Sequence, residues 1–271
     1  MNALEHNPRS HDSQDVTSAM SSGPWRIIPL ETHDAFLNMA LDEACSEQVA
    51  AGGIATIRLY RWQPSAVSIG CFQSMRAEIA TERCDALGVD YVRRRTGGGA
   101  VYHDHDGEIT YSVIAPSSWF SGITESYQLI CGWVIDGLAE LGISAQFSPI
   151  NDIMVGDKKI SGNAQTRRGG VLLQHGTLLY DVDVDRMFSL LRVGQEKIAD
   201  KLITSVKKRV TRVLDHIDVD AVSREDVTRA LLIGLTRDKQ CQIGSWTAQE
   251  LSRAEALAKS RYRDRGWNFS R

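Results

Sequence analysis

No two cysteines in this chain are spaced as C-x-x-C, and the five that exist, at 45, 71, 84, 131 and 241, are odd in number. That spacing excludes a zinc ribbon and argues against a disulfide framework, leaving free thiols of a reducing compartment. No apolar run approaches the roughly 18 residues that a membrane span requires. The first 24 residues are polar and rich in His, Asp, Ser and Asn. They lack both the apolar centre of a signal peptide and the Arg-rich, acid-poor character of a transit peptide, so residues 1–24 read as a flexible tail on a cytoplasmic protein. A global basic field is missing too, since the formal net charge is −3. Nucleic acid and membrane are therefore not expected partners. The basic residues group locally instead, at Arg93 to Arg95, Lys158 with Lys159, Arg167 with Arg168, and Lys207 to Arg209, the last reading as a solvated face.

What is present fits an ordinary globular protein: 271 residues, 42% hydrophobic and 24% charged, enough for a sizeable core. Order is expected from Trp25, with WRIIPL a strand. A helix capped by Thr32 or Asp34 follows, on which Phe36, Leu37, Ala40, Leu41 and Ala44 form one apolar stripe, ended by Gly52-Gly53. Strands are expected over 54–62, 66–69, 90–93 and 108–115. A short helix should end before Gly88, and a longer one should run from Thr124 to Leu141. Ser223-x-x-Asp226 and Thr247-x-x-Glu250 read as helix-capping signals.

The most informative stretch is RRRTGGGAVYHD, from Arg93 to Asp104. Three consecutive glycines bare backbone N–H groups, and adjacent arginines supply countercharge for a phosphate or carboxylate. Ala-Val-Tyr after the glycines reads as strand. The dinucleotide fingerprint, whose glycines open a helix, therefore does not apply, and no Gly-Lys-Ser/Thr completes a P-loop. A second stretch covers Asn151 to Tyr180. There Gly156-Asp157 joins two strands as a tight hairpin, and Val171 to Val182 is expected to form one long strand carrying His175 and Gly176. Strict alternation along the second strand would set Lys159, Ser161, Asn163 and Gln165 on one face, and Lys158, Ile160, Gly162 and Ala164 on the other. A lysine heading a row of small polar side chains reads as the wall of a polar pocket. His103 and His105 could share a strand face, but no third ligand at zinc-like spacing accompanies them, and Asp104 to Asp106 read as a hydrogen-bonded turn.

FLNMALDEA near residue 36, RRRTGGGAVYHD, NDIMV followed by KKISGNAQ, LLQHGTLL and the terminal RYRDRGWN occur in one order across roughly Trp25 to Asn268. Together they resemble the lipoate–protein ligase A family, within the group that also holds biotin ligases and octanoyltransferases. The resemblance implies an α+β fold, a mixed or antiparallel sheet flanked by helices, as a single catalytic domain over 25–271 without a C-terminal accessory domain. It implies a ligase that activates lipoate with ATP and Mg²⁺ to lipoyl-adenylate and passes the acyl group to a lysine of a lipoyl-acceptor domain, with a separately encoded accessory protein aiding activation. By the same resemblance Lys159 is the catalytic lysine. Arg94, Gly98, Gly99, Ala100, Val101, Tyr102, Asn151, Asp152 and Lys159 would hold ATP or the adenylate. Lipoate would lie against His103, Gly99, Lys159, Ser161, Gly162, Ala164 and His175, and Asp152 would take the metal. No residue stands out as a general base from the sequence itself, and that role is assigned to Asp152.

Two other readings stay open. One is an octanoyl- or lipoyl-transferase of the same fold, which would form a thioester on a cysteine paired with a lysine. The regions where such a cysteine lies in that fold read SPINDIMV and KLITSV here, without cysteine, and only Cys71 in SIGCFQ lies where it could reach an acyl pocket. The other is a non-catalytic module that binds acyl-adenylate.

Overall fold

The computed structural model describes residues 23–192, 209–218 and 222–271. Residues 1–22 of the expected tail, the KLITSV segment and Lys207 and Lys208 of the basic run lie outside the described residues. Eleven described strands form two sheets. The larger is ordered β11-β1-β2-β6-β10-β9-β8-β7, from β1 (Trp25–His33), β2 (Ala55–Trp62), β6 (Glu108–Pro116), β7 (Gln146–Ser148), β8 (Asp152–Val155), β9 (Lys158–Arg168), β10 (Val171–Leu179) and β11 (Cys241–Ile243). The smaller is β4-β3-β5, from β3 (Ala66–Ile69), β4 (Asp90–Arg93) and β5 (Val101–His103). Pairing is parallel where β1 meets β2 and β11, and antiparallel from β2 through β6, β10, β9 and β8 to β7. The fold is thus the expected α+β class with a mixed, mostly antiparallel sheet.

Both faces of the central strands are covered, so alternation sorts side chains between two cores and not between core and water. On one face Ile57, Leu59, Tyr111, Val113 and Leu172 pack under helices α4 (Ile123–Glu140) and α6 (Arg224–Thr236). On the other, Tyr60, Trp62, Ile114, Val171 and Leu173 pack under α1 (Ala35–Ala50) and α7 (Ala248–Leu257). Asp34 caps α1 by accepting from the Leu37 N–H, and the predicted capping boxes at Ser223/Asp226 and Thr247/Glu250 are both formed. None of the described helices is long and apolar enough to cross a membrane.

Three local expectations change. The single helix after SIGCFQ is two, α2 (Met75–Glu78) and α3 (Thr81–Ala86), because Ile79 between them is extended and bridges to Leu191. The strand expected to reach Val182 ends at Leu179, and α5 (Val184–Leu190) follows it. Along β9, strict alternation fails. Ile153 pairs with Ser161 but Met154 with Lys159, so Ile160 is an extra residue at a bulge, and a bulge shifts the parity of everything beyond it. Lys159 therefore shares a face with Gly162 and Ala164. Ser161 turns to the opposite side, where its hydroxyl is buried without a partner among the described residues.

A buried ion pair ties the sheet to α7: Arg26 donates to both oxygens of Glu250, at 2.8 and 2.5 Å. Burial alone would raise the Glu250 carboxyl, but the Arg26 guanidinium and the Thr247 N–H bring it below its ordinary value. Asp42 on α1 behaves alike: desolvation opposes its charge, while His175 and Arg58 outweigh that and lower its pKa. Carboxyls lowered in the folded state stabilise it above their unfolded pKa, about 3.9–4.3, and that contribution disappears as pH falls through the folded values. Stability measured by urea unfolding is expected to hold from neutral pH to about pH 5 and to fall below about pH 4. Arg26→Met, which strands a buried carboxylate, should cost roughly 3–5 kcal/mol at neutral pH. A cost below about 1 kcal/mol would show the pair to be energetically idle.

Candidate active site

The glycine loop between β4 and β5 is built around one side chain. Arg94 is buried, and all five of its N–H groups are used inside the protein. Its Nε donates to Thr96 Oγ1 at 3.0 Å, Nη1 to the Ser68 carbonyl and hydroxyl at 3.1 and 3.2 Å, and Nη2 to the carbonyls of Gly97 and Gly99 at 2.6 and 2.8 Å. Desolvation pushes its pKa down to about 10. Gly98, between the two captured carbonyls, has φ +88°, which an L side chain rarely adopts. The flanking arginines are structural as well. Arg93 donates to the carbonyls of Gln73, Trp267 and Asn268 at 2.6, 3.0 and 2.9 Å, docking the terminal RGWN segment, helix α8 (Arg265–Asn268), onto β4. Arg95 pairs with the buried Glu43 at 2.8 Å.

Beneath the loop lies a pocket of about 140 Å³. Met39, Tyr60, Trp62, Val101 and Ala164 give it apolar walls, and Ser68, His103, His175 and Lys159 supply the polar groups. Lys159 sits at the bulge, its backbone pinned by the returning segment (Lys159 N–H to the Arg209 carbonyl at 2.7 Å, Thr211 N–H to the Lys159 carbonyl at 2.9 Å). Its ammonium pairs with Asp152 at 2.6 Å. Asn151 and Asn163 clamp β9 reciprocally, each side-chain amide donating to the other's carbonyl.

Two histidines line the pocket, and each lies between a hydroxyl and a carboxylate. His103 Nε2 is 2.8 Å from Ser68 Oγ, its Nδ1 is 2.9 Å from Glu108, and its ring stacks on Trp62 at 3.9 Å. His175 Nε2 is 2.7 Å from Thr96 Oγ1 and its Nδ1 is 3.2 Å from Asp42. Burial lowers the His175 pKa, with the Asp42 carboxylate opposing that in part. Asp42 also accepts from Arg58 at 3.1 Å and from Ser112 at 2.9 Å.

The structure gathers Arg94, Gly98, Gly99, Ala100, Val101, His103, Asn151, Lys159, Gly162, Ala164 and His175 at this one pocket, as the sequence led us to expect. Ser161 and Tyr102 lie elsewhere. Ser161 is reversed by the bulge, and the Tyr102 side chain packs into the core of the small sheet. Ser68, Asp42 and Glu108 were not foreseen. Their signal was available: Asn38 and Asp42 recur at helical spacing on the buried stripe of α1, and Glu108, Thr110 and Ser112 alternate along β6 toward the same face. None of the five cysteines lines the pocket. Cys45, Cys84 and Cys131 are buried, and burial raises their thiols to about 12, 11 and 12. Cys241 is exposed on β11 and Cys71 is half-buried behind the glycine loop, its N–H on the Thr96 carbonyl at 2.9 Å.

A mixed sheet that frames an acyl-sized pocket between a glycine loop and a strand lysine defines a catalytic domain of the lipoate-ligase type. The family described as "Lipoyl protein ligase A/B catalytic domain" matches residues 34–236, and the chain belongs to it. Among curated relatives, the protein named octanoyltransferase LipM from Brevibacillus brevis is 34% identical over 91% of this chain and 99% of its own length. The octanoyltransferase LipM of Geobacillus kaustophilus is 33% identical over 93% of this chain and all of its own. Among solved structures, a bi-partite lipoate protein ligase from Thermoplasma acidophilum superimposes with a TM-score of 0.83 at 31% identity, covering 91% of this chain and 96% of that one.

These full-length relatives overturn the expectation of an ATP-dependent lipoate ligase that forms an adenylate. They are octanoyltransferases, and with them ATP and Mg²⁺ fall away as the expected cofactors. The geometry gives a physical counterpart. Arg94, expected on a nucleotide phosphate, has spent every donor on its own loop and on Ser68 of β3, and Asp152, expected on the metal, is committed to Lys159. The chain is an enzyme of the lipoyl- and octanoyl-transferring family.

Gly162 is where Lys159 crosses β9. A Cβ placed there would lie 2.7 Å from both Cε and Nζ of Lys159. Because that obstacle is the far end of a flexible side chain, Gly162→Ala should fold normally, with a melting temperature within about 2 °C of wild type. It should also displace the ammonium and lower acyl transfer at least tenfold. Unchanged transfer in this variant would show that the position of Lys159 does not matter.

Proposed function

We propose that the chain transfers an octanoyl-class acyl group from an activated donor to a lysine of a lipoyl-type acceptor domain. The observation that carries this reading is the pocket itself, whose lining joins the apolar surface of Met39, Tyr60 and Trp62 to the ammonium of Lys159. An eight-carbon tail fits the first surface, and a carbonyl that becomes an oxyanion during acyl transfer fits the second. The full-length relatives named octanoyltransferase support the acyl group, and the E2 lipoyl domain that accompanies the Thermoplasma ligase supports the acceptor.

In this reading the glycine loop, held shut by Arg94, walls the acyl chain from water. Lys159 donates to the carbonyl oxygen and strengthens that bond as the tetrahedral oxyanion forms, with Asp152 keeping the ammonium in place. With no cysteine on the pocket wall, the acceptor amine attacks the donor's carbonyl directly. The expectation of a separate accessory protein was tied to activation of a free acid, and nothing in this reading depends on it. Five free cysteines agree with a reducing compartment, and we place the reaction in the cytoplasm.

Incubation of the purified chain with an octanoyl thioester and a lipoyl domain, without ATP, should add one octanoyl group to the domain by intact mass. Lys159→Ala should lower the rate by on the order of 10²-fold or more, the usual cost of one preorganised charge at a transition state. Cys71→Ser should transfer within about twofold of wild type, since the half-buried thiol touches no reacting group. Loss of transfer in Cys71→Ser, with a hydroxylamine-labile adduct on the wild-type chain, would replace direct attack by a thioester route.

A further inference from the structure

Direct attack requires a neutral amine, so some group must take the proton that the acceptor lysine loses. Asp152, the base expected from the sequence, is held by the Lys159 ammonium and lies at the oxyanion end. The two pocket histidines remain, and their surroundings differ. The carboxylate behind His175 is Asp42, whose charge is already met by Arg58 within the core. The hydroxyl on His175 is Thr96, which does not line the pocket. Behind His103 stands Glu108, 1% exposed, whose one ion-pair partner among the described residues is His103 itself. Its other described contact is the Thr110 hydroxyl. A buried carboxylate in that position accepts the imidazole's Nδ1–H and fixes the orientation of the ring. The hydroxyl on His103 is Ser68, which lines the pocket.

The hydrogen-bond directions agree. Arg94 can only donate, so Ser68 Oγ accepts from it at 3.2 Å and its own proton points to His103 Nε2. Nε2 is thereby the acceptor nitrogen, and Nδ1 carries the proton that Glu108 accepts. We propose that His103 is the proton acceptor of the transfer step, reached from the pocket through the Ser68 hydroxyl and held in place by Glu108. The inference rests on the acyl-transfer reading above.

The acceptor amine forms the C–N bond, and the carbonyl oxygen becomes an oxyanion against Lys159. The proton leaving nitrogen passes to Ser68 Oγ as the Ser68 proton passes to His103 Nε2. Collapse of the intermediate breaks the bond to the donor's leaving group. The imidazolium, paired with Glu108 and stacked on Trp62, then returns its proton by way of Ser68 to that leaving group. The charged or titratable groups that face His103 are Glu108 directly, Arg94 through Ser68, and Tyr60 and His175 across the pocket. Ser68 and His103 are then catalytic residues, and Glu108 is a positioning residue.

The test is kcat and KM for octanoyl transfer by wild type, Ser68→Ala and Glu108→Gln, with melting temperatures taken alongside. Ser68→Ala should lower kcat by on the order of 10²-fold and leave KM for the octanoyl thioester within about threefold. Glu108→Gln, which keeps the shape but loses the carboxylate that holds the His103 Nδ1–H, should lower kcat about tenfold with KM likewise unmoved. A variant-free readout is the ¹⁵N spectrum of histidine-labelled wild type, in which His103 should be the Nδ1–H tautomer at neutral pH. Wild-type kcat in Ser68→Ala or in Glu108→Gln, or an Nε2–H tautomer at His103, would each overturn the proposal while wild-type transfer stands. A wild-type chain that transfers no octanoyl group would instead overturn the acyl-transfer reading, and this proposal with it.

Discussion

A guanidinium buried without a carboxylate beside it is the constraint from which the site follows. Arg94 keeps its charge in the interior by giving all five donors to oxygens: two hydroxyls and the carbonyls of Ser68, Gly97 and Gly99. Those bonds fold three glycines into one closed loop, which otherwise would cost roughly 1–2 kcal/mol per residue to order. The same bonds fix the protons of Ser68 and Thr96, and through them the tautomers of both pocket histidines. Arg94 thus shapes the pocket, arranges its proton pathway and contributes positive potential to it. It has no donor left for a ligand.

The polar layer around that guanidinium is sandwiched between α1 and the sheet, a place normally given to apolar side chains. Asp42, Arg58, Ser112 and His175 neutralise and hydrogen-bond one another there, and of their polar side-chain atoms just Arg58 Nε lacks a hydrogen-bond partner among the described residues. Such a layer is rigid, and rigidity suits a site that must hold an acyl carbonyl against Lys159 without reorganising. Lys159 is the exception, half-exposed at the rim and, among the described residues, anchored only through Asp152 and its backbone. A lysine so placed can follow the carbonyl oxygen as it becomes an oxyanion.

Much of this was legible in the sequence, for reasons particular elements make plain. The stripe on α1, the capping boxes at Ser223 and Thr247 and the glycine run are local signals, and each produced the element expected. Ordered motifs identified the family and the α+β class. The bulge at Ile160 was not legible, because an extra residue in a strand shows only against its partner β8, and Ser161 was therefore set on the wrong face. The roles of Arg93 and Arg95 were hidden likewise, since their partners Asn268 and Glu43 are distant in the chain. The motifs are shared by ligases and transferases of one fold, so ATP-dependent chemistry did not follow from them. Full-length relatives were needed to turn the reading to acyl transfer.

The account's central claim is that the acyl carbonyl meets Lys159 while Arg94 remains on its loop. A crystal structure with a non-hydrolysable octanoyl thioester analogue tests both halves at once. The account predicts the carbonyl oxygen within hydrogen-bond distance of Lys159 Nζ, the acyl tail along Trp62 and Met39, and Arg94 still bound to the carbonyls of Gly97 and Gly99. An analogue seated elsewhere, or an Arg94 guanidinium released from the loop to hold the ligand, would contradict it.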